Sequence, residues 1–269
     1  MPEADVTNIM PDVTKMDTRI LQSYTALAFN SRNSALSSLK RTNFYRIVET
    51  SAVVFTAILA ITFVKSHNSV FSRLIPPFSA RFNWLLIPAV LVAAAIIPTI
   101  IKKQKLSRIG FNLTQTALSI KIVCSISLIA FALVFLGRLV LKWYGYNMLM
   151  LESALIQTNW LSFIFYQFMY IAVAEEVFFR GYVQSNIQQL IGSISFQRTY
   201  KCKWLIIFLS AGVFALAHIV IKGQIIAGLT LLPGLVLAWL FYRTHSLLAP
   251  ILFHGLANIY WSLLFAVPV

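Results

Sequence analysis

Seven apolar runs follow one another along this chain, near residues 47–64, 84–101, 118–141, 160–183, 204–221, 225–243 and 248–267, and most charged residues fall in the gaps between them. A helix crossing the hydrocarbon core of a bilayer needs about 20 consecutive, mostly apolar residues, which is the length of these runs. Charged residues make up 11% of the 269 residues, against about 25% in a soluble domain. Hydrocarbon offers no partner to an unpaired backbone N–H or C=O, so runs of this kind fold as helices. The expected fold is all-α: a polytopic membrane protein of about seven transmembrane helices (six to eight), with any polar site inside the bundle.

The formal net charge is +14, but the basic residues form no continuous face of the kind that grips nucleic acid. They cluster between the runs, as in Lys102-Lys103-Gln104-Lys105 and Arg198-Thr-Tyr-Lys201-Cys-Lys203. That is the pattern of topology determinants and lipid-headgroup contacts, so membrane lipids are expected partners and nucleic acid is not. The richer side holds Arg32, Lys40, Arg41 and Arg46, then Lys102, Lys103, Lys105, Arg108 and Lys121, then Arg198, Lys201 and Lys203, and Arg243. The opposite side has Lys65, Arg73, Arg81, Arg138, Lys142 and Lys222. The positive-inside rule then predicts a multi-pass integral membrane protein with a cytoplasmic N-terminus. The compactness of the chain points to a bacterial inner membrane.

Three segments are expected: a polar cytoplasmic stretch over 1–46, N-terminal membrane helices over 47–150, and a C-terminal core over 151–269. Residues 1–18 are polar and acidic and read as loosely ordered, with no signal peptide. Residues 19–46 suggest a short amphipathic helix carrying Ile20, Leu21, Tyr24, Leu27 and Ala28. Cys124 and Cys202 have neither metal-site nor redox spacing. His67 and His245 lie in loops beside Lys65 and Arg243 and read as surface residues.

Against this background three polar clusters stand out. The first is Glu175-Glu176-Val-Phe-Phe-Arg180; the only other acidic residue after Glu49 is Glu152. One charged residue at mid-helix costs about 2.5–3.5 kcal/mol on insertion scales, so an adjacent pair suggests a function. Glu176 and Arg180, four apart, share a helical face in the favourable order. They read as a structural clamp, leaving Glu175, about 100° around the helix, to face a polar cavity. A purely structural ion pair remains open. The second cluster is Phe214-Ala-Leu-Ala-His218, where Phe214 would pack beside the imidazole. Alone, His218 could simply hydrogen-bond between helices and Phe214 could be core. The third is His254-Gly-Leu-Ala-Asn258, with imidazole and carboxamide on one face, and Asn258 could equally be interhelical glue.

EEVFFR, FALAH and HGLAN together resemble the EExxxR, FxxxH and HxxxN/D motifs of the CPBP intramembrane proteases. This family is also called the abortive-infection family and includes the CAAX prenyl endopeptidase of the endoplasmic reticulum. The resemblance spans about residues 160–262, with Arg243-Thr-His-Ser-Leu and Pro250 also fitting. It implies an intramembrane endopeptidase acting on a membrane-associated peptide or membrane protein. On the family pattern Glu175 is the general base activating a water, His218 helps to hold it, and His254 and Asn258 stabilise the oxyanion. Glu176, Arg180 and Phe214 support the site. Such chemistry needs a polar cavity, a positioned base and donors aimed at the developing oxyanion.

No cofactor is expected. A zinc version of the same enzyme would use Glu175, His218 and His254 as ligands with an open position for water. No HExxH is present, so three helices would have to hold the metal. Two readings from other classes remain. One is a transporter, suggested by Gly228, Pro233 and Gly234 in the sixth run. The other is a catalytically idle immunity or scaffold protein.

Overall fold

The computed structural model describes residues 18–67, 79–146, 160–194 and 200–266. Among them every regular element is helical. The chain divides into two compact units, Met1–Arg46 and Ile47–Val269. Residues 1–17, the basic loop residues Arg73 and Arg198, and Glu152 lie outside the described residues.

Helix α1 runs unbroken over Thr18–Ser66. The expected short amphipathic helix over 19–46 is thus not a separate element, because no Pro or Gly interrupts the chain between Thr18 and Ser66. The side chains of Ile20, Leu21, Tyr24, Leu27 and Ala28 lie outside the described residues. Helix α2 (Ser79–Ile101) carries Pro88 and Pro98. It is followed by a 3-10 turn at Leu106–Ile109 and by α3 (Thr116–Trp143). Helix α4 runs over 160–194, α5 is Tyr200–Lys222, and α6 is Leu231–Thr244, entered through a 3-10 turn at Ile225–Thr230. Helix α7 is Leu248–Ala266.

Five segments are long and apolar enough to cross a membrane: Ser37–Ser66, Thr116–Trp143, Trp160–Ser193, Tyr200–Lys222 and Ile225–Thr244. Leu86–Ile101 and Leu248–Leu264 are shorter apolar helices. The architecture is that of an all-α polytopic membrane protein. Large apolar side chains such as Leu128, Ile129 and Leu133 of α3 point outward, as lipid-facing residues do.

Helix α4 is the axis of the second unit. It is not a plain α-helix: π-helical turns at Tyr166–Ala172 and Val177–Gln184 bracket a single α turn, Val173–Glu176. Its residues 176–186 are all buried. Around it pack Ala57 and Ile61 of α1, Leu91 and Ala95 of α2, and Phe214 and Ala217 of α5. A second cluster joins Val123 of α3, Leu237 and Leu240 of α6, and Ala249 and Phe253 of α7. Two close approaches lock α4 to its neighbours. A Cβ on Gly181 would meet the Ile109 carbonyl oxygen at 2.9 Å, and a Cβ on Gly255 of α7 would overlap the Phe168 ring. Glycine at each position lets the two elements pack in contact.

Candidate active site

The α turn between the two π segments carries Glu175 and Glu176, which face different partners. Glu176 is fully buried and accepts from Arg180 Nη1 at 3.0 Å. Arg180, also fully buried, donates through Nη2 to the Gly234 carbonyl of α6 at 3.4 Å. Its guanidinium lies 4.3 Å from the Phe214 ring centroid, stacked on an aromatic face that favours a cation. One turn further along α4, Gln184 donates to the Ala238 carbonyl at 2.9 Å and accepts from Ser210 of α5 at 3.0 Å. Arg180 and Gln184, four residues apart, thus grip two carbonyls four residues apart on α6. Buried polar groups need such partners, since an unpaired one costs several kcal/mol in hydrocarbon.

His218 on α5 and His254 on α7 both reach the carboxylate pair. His218 Nδ1 is 3.0 Å from the Phe214 carbonyl oxygen, its own helix one turn back. His254 Nδ1 is 2.7 Å from Glu176 Oε1. Both partners are acceptors only, so in each ring Nδ1 carries the hydrogen. The other nitrogens turn toward one atom: His218 Nε2 lies 3.8 Å and His254 Nε2 3.9 Å from Glu175 Oε2. That oxygen is buried and has no hydrogen-bond partner. The side chains around it keep some access, at 21% for Glu175 and 18% for His218.

Three polar atoms therefore converge at separations too long for direct hydrogen bonds. Spacings of this kind suit one small donor held between them, as a water molecule is. Phe214 joins the site at three points. Besides receiving His218 and covering Arg180, its ring meets the His254 ring edge to face, with centroids 6.3 Å apart.

The bundle brings Glu175, Glu176, Arg180, Phe214, His218 and His254 together. Asn258 sits on the same face of α7 as His254, one turn on, and is half-buried. Among the described residues its carboxamide has no hydrogen-bond partner. His67 and His245 are exposed, away from this cluster. Sequence reasoning did not anticipate the His254–Glu176 contact or the Gln184–Ser210 link. A signal existed for the second, since Gln184 lies one turn beyond Arg180 and Ser210 one turn before Phe214.

The zinc alternative can be tested on this geometry. Two ligands each about 2.0–2.1 Å from a tetrahedral zinc stand about 3.4 Å apart. Here His218 Nε2 and His254 Nε2 stand 3.8 and 3.9 Å from Glu175 Oε2, and the contact of His254 Nδ1 with Glu176 leaves Nε2 as the nitrogen a metal would meet. Among the described residues no group of three His, Cys, Asp or Glu side chains is placed to hold a metal ion.

Residues 157–260, which contain Glu175, Glu176, Arg180, Phe214, His218, His254 and Asn258, match the family model described as type II CAAX prenyl endopeptidase Rce1-like. Over these residues, fewer than half of the chain, the sequence is similar to the CPBP/CAAX-protease family. The matched segment covers α4 to α6 and α7 as far as Tyr260, and leaves α1 to α3 outside it. The family is one of CAAX-type intramembrane endopeptidases, which are hydrolases, and the spanning helices make this an integral membrane protein. No curated protein and no solved structure matches the chain.

Proposed function

We propose that this protein hydrolyses a peptide bond within the membrane, using a water activated by Glu175 and no metal. The observation that carries this reading is the unpartnered, buried Oε2 of Glu175 flanked by two imidazole Nε2 atoms. A water donating one hydrogen to Oε2 and the other to an Nε2 would be held and oriented in one step. Glu175 then takes a proton as the water oxygen bonds to the substrate carbonyl carbon, and the carbonyl π pair moves onto its oxygen. Asn258 and His254 share a face of α7 and would stabilise that oxyanion, each such donor being worth on the order of 10²–10³ in rate. Glu175 returns the proton to the amide nitrogen, the C–N bond breaks, and an acid and an amine result.

The substrate class is a membrane-associated peptide or membrane protein; the family name makes a prenylated CAAX-type tail the first to try. On the positive-inside rule the N-terminus is cytoplasmic, and the compact chain fits a bacterial inner membrane. The 3-10 entry to α6 at Ile225–Thr230 is the feature a transporter reading would rest on. The deciding experiment compares the membrane peptides of cells carrying the wild type or Glu175→Ala. Uncleaved substrates should accumulate in the variant. Identical peptide profiles, with solute flux in proteoliposomes surviving the substitution, would favour transport instead.

A further inference from the structure

Gln167 lies in the first π-helical turn of α4, Tyr166–Ala172, eight residues before Glu175. Only 8% of its surface is exposed, yet among the described residues its carboxamide has no hydrogen-bond partner. Glu176, Arg180 and Gln184 on the same helix all meet that need with named partners. A buried amide left unpaired at membrane depth is costly, so Gln167 calls for a partner from outside the bundle. Neither atom of its carboxamide is sealed off, so the exposure it keeps includes its polar end.

In a plain α-helix, residues eight apart differ by about 80° around the axis. A π turn winds through less angle per residue, and the one between Gln167 and Glu175 takes up most of that difference. Two contacts with α7 agree. Phe168 meets Gly255 and Glu176 meets His254, so positions eight apart on this stretch of α4 present the same side to the same helix. Gln167 and Glu175 each precede one of these two residues and therefore also share a side. Asn258 lies three residues beyond Gly255 and likewise has no partner among the described residues. A second open carboxamide thus stands within one helical turn of the point where α7 meets α4 beside Gln167.

We propose that Gln167 is a substrate-binding residue that grips the backbone of an extended peptide, its NH2 group donating to a peptide carbonyl and its oxygen accepting from a peptide N–H. A carboxamide carries a donor and an acceptor side by side. An extended residue presents its own N–H and C=O toward one side, as strands do when they exchange both bonds. The two are complementary, and such bonds are stronger inside a protein than in water. Eight residues of helix span about 12 Å. An extended chain covers about 3.3 Å per residue, so the gripped residue lies about three or four from the bond placed at Glu175. The substrate is therefore read through its backbone at a fixed distance from the cleavage point, whatever side chain stands there. This rests on the peptidase reading for placing the scissile bond, but the grip itself can be measured without cleavage.

The test is the Kd of a fluorescent farnesylated peptide for full-length Glu175→Gln protein in lipid nanodiscs, where the peptide stays intact. A series of peptides replaces one amide link at a time by an ester, up to four residues on either side of the scissile bond, and so removes one N–H at a time. One ester should weaken binding about tenfold. Adding Gln167→Leu should weaken binding of the all-amide peptide by about the same factor and abolish the sensitivity to that ester. If no ester weakens binding, or no peptide binds, the proposal is overturned even if Gln167→Leu does not fold. A folded Gln167→Leu that binds the all-amide peptide as tightly as before also overturns it and leaves Gln167 a helix-packing residue. Ester-sensitive binding that depends on Gln167, in a protein whose wild type cleaves none of these peptides, supports the grip and counts against the peptidase reading instead.

Discussion

Glu176 and His254, on α4 and α7, meet at 2.7 Å through the same carboxylate oxygen that receives Arg180 at 3.0 Å. A fully buried carboxylate thus ties two helices together and balances a fully buried guanidinium. Removing one member leaves the others unpaired. Arg180→Ala is expected to destabilise the protein by about 3–5 kcal/mol, the usual cost of breaking a buried pair from one side. Thermal unfolding in detergent measures this, and an unchanged transition would show that the pair is not holding the bundle.

Gly255 sits beside His254, with the Phe168 ring occupying the space its Cβ would need. Gly255→Ala should force α7 away from α4 or drive Phe168 out of its rotamer, at about 1–3 kcal/mol. Adding Phe168→Leu should recover part of that loss, and thermal unfolding of the two variants side by side checks it. No recovery would mean that the close approach is not what fixes glycine here.

Gln184 bridges α5 and α6 through Ser210 and the Ala238 carbonyl. Gln184→Leu leaves both partners without their bond, at a cost of about 1–3 kcal/mol. Because Ser210 acts through Gln184, the double variant with Ser210→Ala should cost less than the two single ones summed. Strict additivity in unfolding measurements would separate the two residues.

How far these relationships could be read from sequence follows from what sets each one. Apolar runs locate the helices because bilayer thickness sets their length, so α3, α5, α6 and α7 lie close to the runs that announce them, while α4 continues to residue 194, past the end of its run. EEVFFR, FALAH and HGLAN mark the residues that converge, because ionisable groups in a membrane helix are too costly to be incidental. Pairing across helices was less legible. Helical spacing places Glu176 over Arg180, but it cannot reveal that His254 arrives from another helix at the same oxygen. Phe214 reads as a core aromatic, while its carbonyl and ring face hold His218 and Arg180. The π turns around Glu175 have no sequence signal that we can name.

Metal dependence separates the two protease readings. With the donors near Glu175 spaced wider than tetrahedral zinc requires, peptide turnover should be unchanged by o-phenanthroline or by added zinc. Loss of activity with the chelator, restored by zinc, would return Glu175, His218 and His254 to the role of ligands.

The most direct measurement is the kcat of purified wild type and Glu175→Gln on a quenched farnesylated peptide, with unfolding transitions confirming that both are folded. Glutamine keeps the size of the side chain and removes the base, so turnover should fall by about 10²–10⁴-fold while the fold persists. A folded Glu175→Gln that cleaves the peptide at the wild-type rate would contradict the assignment of Glu175 as the group that activates water.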